Sequence, residues 1–164
     1  MSKTFWDDLK SGRFASMVKE SSRGQLLTNS QEVYNILKPL FVENDIEILY
    51  CIFLDSKNRI ISIEKLFTGS IASTAIYPRE IVKQALSFKS AAVMMCHNHP
   101  SGSADPSSED YSITRKVIIA LSSIDVPLHE HLIIGDGYFS MADQGVLKRF
   151  KQEYEKFITN RRIL

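Results

Sequence analysis

The apolar run Ala91-Ala92-Val93-Met94-Met95-Cys96, followed at once by His97-Asn98-His99-Pro100-Ser101-Gly102, constrains this chain more than any other stretch. An apolar run this short, closed by a turn signal, reads as a buried strand rather than a core helix. If that strand continues through His99, His97 and His99 point to the same side, because strand side chains repeat every second residue. On a helix the same pair would sit about 200° apart and could not share a ligand. Pro100 and Gly102 then end the strand and turn the chain. Beyond the turn, Pro106-Ser107-Ser108-Glu109-Asp110 opens a helix, with Asp105 or Ser107 as its cap and Pro106 suited to the first helical position. Ser107 and Asp110, three apart, share one face of the first turn. A strand end thus offers two imidazoles, and a helix start offers a carboxylate and a hydroxyl.

Hairpins and amphipathic helices surround this unit. Residues 1–28 carry scattered apolar positions (Phe5, Trp6, Phe14, Met17) and read as a short helix or arm lying on the domain. Residues 29–164 read as the domain itself, closed by a C-terminal helix. Asn29 with Glu32 fits a capping box ahead of the stripe Val33, Ile36, Leu37 and Leu40. Residues 46–54 and 59–67 are expected strands, joined into a hairpin by the turn Asp55-Ser56-Lys57-Asn58. Tyr77-Pro78-Arg79-Glu80 opens another helix, whose Ile81, Val82, Ala85 and Leu86 should face the core. The motif helix turns Tyr111, Thr114, Val117, Ile118 and Leu121 inward. Residues 131–134 and 138–140 form short strands around Gly135-Asp136-Gly137. Residues 147–158 have helical spacing, with Lys148, Arg149, Lys151, Lys156, Arg161 and Arg162 outside. The expected fold class is α/β, with a mixed sheet between helices.

At 164 residues the chain is long enough for one domain with a real core. A net charge of +1 gives no nucleic-acid footprint over the whole surface, so only local basic patches could serve that partner. Cys51 and Cys96 lie in apolar, strand-like runs and read as reduced core thiols of a cytoplasmic protein. No Cys-x-x-Cys occurs, which argues against a zinc ribbon or dithiol motif. The stretch Met1 to Asp8 is too polar for a secretory signal, and no apolar run approaches the ~18 residues of a membrane span. The expectation is a cytoplasmic protein without a membrane partner.

Two histidines and one carboxylate, with a fourth position for water, match a catalytic zinc ligand set. Such an ion lowers the pKa of its water toward ~7 and polarises a carbonyl. A base must then take the water's proton. Glu64, Glu80 and Glu109 are candidates. Glu80 sits in a first helical turn, where a carboxylate complements the dipole. Glu109 points about 100° away from Asp110. Glu64 alternates with Ile61 and Ile63 on a strand that would hold it rigidly. Plain structural readings compete throughout. Ser107-x-x-Asp110 is also a capping arrangement, and the His pair alone is as often structural as metal-binding. Cys96 should face away from His97, into the core. His129 and His131 repeat the i,i+2 spacing, and a polar strand edge is the simpler reading of them than an element supporting the site.

Taken whole, His97-x-His99 followed by Ser107-x-x-Asp110 resembles the signature of the JAMM (MPN-plus) metalloprotease family. Phe53-Leu54-Asp55-Ser56-Lys57-Asn58, Glu64-Lys65-Leu66-Phe67-Thr68-Gly69, Tyr77-Pro78-Arg79-Glu80, His97-Asn98-His99-Pro100-Ser101-Gly102 and His129-Glu130-His131-Leu132-Ile133-Ile134-Gly135 look like its bacterial RadC-like branch. The resemblance spans roughly residues 30–150. It implies a curved mixed sheet flanked by helices, similar in outline to cytidine deaminases. It implies Zn2+ held by His97, His99 and Asp110, with Glu64 as the base and Ser107 hydrogen-bonding the catalytic water or the oxyanion.

Two departures limit what carries over. Residues 1–28 are too short for the helix-hairpin-helix region that longer members use with DNA, so the chain looks like the short form found on mobile elements. The stretch between Glu64 and His97 lacks room for the insertions that grip ubiquitin in eukaryotic members, so the site should be more open and no ubiquitin preference transfers.

The implied function is a zinc-dependent metallohydrolase, a peptidase or isopeptidase acting on a peptide or protein substrate. The alternative is an accessory or binding protein in DNA repair or mobile-element DNA metabolism, with metal but no peptidase activity, or a nuclease. A zinc nucleoside deaminase is excluded, since its His-x-Glu and Pro-Cys-x-x-Cys are absent. The sequence leaves the substrate and the oligomeric state, a dimer included, open.

Overall fold

The computed structural model describes residues 3–41, 45–69 and 78–161. Five strands, β1 (Ile48–Leu54), β2 (Ile60–Thr68), β3 (Ala92–Asn98), β4 (Leu128–Ile134) and β5 (Tyr138–Ser140), form one open sheet in the order β2-β1-β3-β4-β5. Only β3 and β4 pair in parallel; the other neighbours are antiparallel. The helices are α1 (Lys3–Lys10), α2 (Arg13–Ser22), α3 (Ser30–Leu37), α4 (Pro78–Ser87), α5 (Ser108–Ser122) and α6 (Val146–Arg161), with a 3-10 turn after α3 at Lys38–Phe41. A parallel pair needs a crossover, and α5 supplies the one between β3 and β4.

Strands covered on both faces are apolar throughout rather than alternating, and every residue of β1 and β3 is buried. On one face Tyr50, Ile52, Leu54, Met94 and Cys96 pack against Val33 and Leu37 of α3 and against Leu27. On the other, Leu49, Cys51, Phe53, Val93 and Met95 meet Ile81 and Ala85 of α4 and Ile113, Val117 and Leu121 of α5. Each such side chain contributes about 1.5–3 kcal/mol by leaving water. Leu147 and Phe150 of α6 close a third cluster with Ile118 and Ile133. Cys96 lies in the core opposite His97, as expected, and burial pushes the pKa of both thiols up.

Several expectations shift. The first strand begins at Ile48, not at 46, because Ile46 is 49% exposed and a side chain takes over the ladder there. Leu86 is 58% exposed, since α4 buries Ile81 and Ala85 and packs Val82 at their side. Ahead of α3, two helices break at Gly12, whose φ of +75° is left-handed. A pattern split over pieces this short shows no long period. Leu26 then bridges Arg59 at the mouth of the β1–β2 hairpin. Tyr77 and Arg162, both read from the sequence, lie outside the described residues, as do the side chains of Phe5 and Arg161. Among the described residues no helix is long and apolar enough to cross a membrane.

Candidate metal centre

β3 delivers His97 at its C-terminal end, between Leu49 of β1 and Ile133 of β4. His99 stays in line with the strand because its N–H donates to the Ile134 carbonyl at 2.8 Å. Strand alternation therefore brings the two rings to one face, with their Nε2 atoms 3.0 Å apart. Asp110, in the first turn of α5, meets them there. Its Oδ1 lies 3.1 Å from His97 Nε2 and its Oδ2 3.3 Å from His99 Nε2. His97 and Asp110 are buried, whereas the His99 side chain is 13% exposed and marks the side open to solvent.

The helix cap fixes Asp110. Ser107 is the N-cap of α5: its Oγ accepts from the Asp110 N–H at 3.1 Å. In return, the Ser107 N–H and Oγ–H each donate to Asp110 Oδ2 at 2.8 Å. The capping reading and the ligand reading are therefore both met, because the reciprocal box turns Oδ1 toward His97. Pro106 precedes the cap instead of filling the first helical position, since Ser107 itself keeps an extended backbone. Asp110 Oδ1 is buried without a hydrogen-bond partner. A carboxylate oxygen left so is costly, and a cation held between the three side chains would satisfy it. His97, His99 and Asp110, with ligand atoms within 4.8 Å of one another, can hold a metal ion.

Partners behind the triad set which ring nitrogen is left free for an ion. Thr114 Oγ1 lies 2.6 Å from the Asp110 carbonyl and 2.6 Å from His131 Nδ1. The carbonyl can only accept, so the hydroxyl proton goes there and Thr114 Oγ1 accepts from His131 Nδ1–H. His131 Nε2 is then an acceptor for His97 Nδ1–H, 2.8 Å away, and His97 Nε2 keeps its lone pair for the ion. Burial holds the pKa of His131 well below the usual histidine range, and the nearby His97 adds to this, so the ring is neutral, as this chain requires. His99 is oriented likewise by the Ser103 carbonyl, 2.9 Å from its Nδ1.

His131 is thus no polar strand edge but a buried support for His97. His129 is exposed: between Val93 and Met94 the register with β4 jumps from Leu128 to Glu130, and this bulge at His129 breaks the i,i+2 relation.

Electrostatics follow the same contacts. Burial disfavours the charged Asp110 carboxylate, but the adjacent His97 and His99 imidazoles and the Ser107 N–H outweigh it and hold its pKa far below the usual range. The hydrogen bond to Asp110 raises the pKa of His99 against partial burial, with further help from the Ser103 carbonyl and the charges of Asp110 and Glu47.

The carboxylates proposed as bases lie elsewhere. Glu80 is paired with Arg79 at 3.5 Å, and Glu109 accepts from Ser108 Oγ at 2.9 Å. Glu64 pairs with Cys51, which pairs with Met95, so Glu64 shares the face of His97 but stands in the row two residues before it. Its carboxylate accepts from Ser62 Oγ.

Glu47 is the carboxylate the sequence reading passed over. Leu49 pairs with His97, and continuing that register sets Glu47 across from His99. Asn98 fixes it there: its Oδ1 accepts from the Ile48 N–H at 2.7 Å and its Nδ2 donates to the Ile46 carbonyl at 3.0 Å. The amide clamps the backbone on both sides of Glu47. Alternation from Leu49 and Cys51 could have given the face of Glu47, but only the β1–β3 register shows whose neighbour it is.

A metal-capable His-His-Asp triad at the end of a central strand, on an open mixed sheet flanked by helices, defines a domain of the JAB/MPN type. A family model described as the RadC-like JAB domain matches residues 27–146, and the chain belongs to that family. It is similar to the UPF0758 proteins of Alcanivorax borkumensis (43% identical over 126 residues) and Pseudomonas fluorescens strain Pf0-1 (44% over 130 residues). The matches cover 76% and 79% of this chain and 56% and 58% of those relatives. The chain therefore spans somewhat more than half the length of the curated relatives it matches.

Proposed function

We propose that this domain is a zinc-dependent metallohydrolase that cleaves a peptide or isopeptide bond. The observation that carries the reading is the convergence of His97, His99 and the Asp110 carboxylate: the two Nε2 atoms are 3.0 Å apart, Asp110 Oδ1 lies 3.1 Å from His97 and Oδ2 3.3 Å from His99, and Oδ1 has no hydrogen-bond partner. Tetrahedral zinc with ligand bonds near ~2.1 Å separates its ligand atoms by roughly 3.4 Å. Donor atoms this close together fit that ion, and His99 lies on the side open to solvent. Bound zinc supplies an acidified water and an electrophile for the carbonyl.

The chain's own residues do the rest. Glu47, clamped through Asn98 across from His99, takes the water's proton and passes it to the leaving nitrogen. Ser107 can turn its hydroxyl from Asp110 Oδ2, which its N–H still holds, toward the developing oxyanion. His131 and Thr114 keep His97 in the tautomer that binds the ion. The base role that the family resemblance gave to Glu64 passes to Glu47 in this reading.

The test compares Glu47→Gln with Glu64→Gln on a peptide pool read by mass spectrometry. Both variants should retain wild-type metal content. Turnover should fall by about 10²–10⁴ in Glu47→Gln and stay within a few-fold in Glu64→Gln. The reverse pattern would return the base role to Glu64. A metal-loaded wild-type protein that cleaves no peptide rejects the peptidase reading.

A further inference from the structure

We infer that the mouth of the metal centre receives a positively charged polypeptide segment, rich in Lys or Arg. This names a substrate class for the site proposed above and rests on that reading. The segments bounding the triad, 45–49, 97–112 and 132–140, contain Asp45, Glu47, Asp105, Glu109, Asp110 and Asp136 but no Lys or Arg. The chain as a whole carries +1, so its charge is partitioned.

Each of three exposed carboxylates is tied to a ligand-bearing segment. Asp105 Oδ2 accepts from Ser103 Oγ at 3.1 Å, and the Ser103 carbonyl is the one that orients His99. The Asp136 carboxylate lies over Gly102, where an added Cβ would be 3.0 Å from Oδ2; the Gly102 N–H donates to the His99 carbonyl. Glu109 precedes the ligand Asp110 in the first turn of α5. Among the described residues none of the three forms an ion pair with Lys or Arg. Arg79, in the first turn of α4, is paired with Glu80.

A divalent ion would offset only part of this rim. Like charges gathered within a Debye length, ~8 Å at physiological salt, reinforce one another and steer a cation inward. The same field opposes a phosphodiester backbone, so it counts against the nuclease alternative. The exposed bases Lys148, Arg149, Lys151 and Lys156 sit on α6; Lys148 and Lys151 line a cleft with Pro127 and Leu128 at the start of β4, the end away from the triad.

The experiment measures fluorescence anisotropy of the zinc-loaded protein with three probes: a Lys/Arg-rich peptide, an Asp/Glu-rich peptide of the same length, and a DNA duplex. The basic peptide should bind at least tenfold tighter than the acidic one. Exposed charge pairs are individually weak, so the double variant Asp105→Asn/Asp136→Asn should lose about fivefold of that preference without losing zinc. High salt should erase it. Equal binding of both peptides, tighter binding of the duplex, or a preference unchanged in the double variant overturns the inference. Hydrolysis without charge preference defeats this inference alone; charge preference without hydrolysis defeats the peptidase reading alone.

Discussion

Gly135→Ala should empty the metal centre although it touches none of the ligands. A Cβ at Gly135 would sit 2.1 Å from the Gly102 carbonyl oxygen and 2.9 Å from the Ala104 N. Both are backbone atoms, so no side chain can swing aside and the loop after β3 must move. That loop is held by the Asp136 N–H on the Gly102 carbonyl at 2.8 Å and by the Gly102 N–H on the His99 carbonyl at 3.0 Å. It also carries the Ser103 carbonyl that orients His99. Overpacking typically costs about 1–3 kcal/mol, and losing a ligand's orienting partner lowers metal affinity by about 10–100-fold. Elemental analysis and thermal unfolding should show both losses. Gly137→Ala, with nothing within 4 Å of its added Cβ, is the control and should show neither. Wild-type zinc content in Gly135→Ala would mean that the loop does not position His99.

The second large effect is on stability. Glu130 is buried on the other side of β4 from His131. Its Oε2 accepts from Ser30 Oγ at 2.8 Å and Ser140 Oγ at 2.6 Å. Its Oε1 accepts from the His131 N–H at 2.8 Å and the Ala142 N–H at 3.1 Å. One carboxylate thus ties α3, β4, β5 and the turn before α6 together. Glu130→Ala strands two backbone donors and one of two hydroxyls, Ser30 and Ser140 lying 3.0 Å apart, and should cost about 3–5 kcal/mol in urea unfolding. Glu130→Gln should cost only about 1–2 kcal/mol, because serine hydroxyls can rotate to accept from the amide. Equal losses in the two variants would show that the amide cannot stand in for the carboxylate, so the serine hydroxyls do not turn to accept from it.

The positions that were legible in the sequence share one property: their meaning is local. His97 and His99 follow from strand period, and Ser107 and Asp110 from the chemistry of a helix start. Cys96 follows from alternation across the same strand. The place of Glu47 across from His99 and the support that His131 gives His97 escaped because they depend on strand register and on what lies behind a neighbouring strand. The bulge at His129 removed the regularity that would have linked His131 to its sequence neighbour. Leu86 misled because an apolar residue on a helix flank satisfies the sequence period without reaching the sheet. The close approach at Gly135 likewise needs the distance between two loops, which no spacing reveals.

Zinc titration of the metal-free protein, followed by isothermal calorimetry, tests the centre most directly. The wild-type chain should take up a single equivalent, and Asp110→Ala should lower the affinity by more than ~100-fold. A wild-type protein that binds no zinc, or an Asp110→Ala protein that binds it equally well, would contradict a metal centre built from His97, His99 and Asp110.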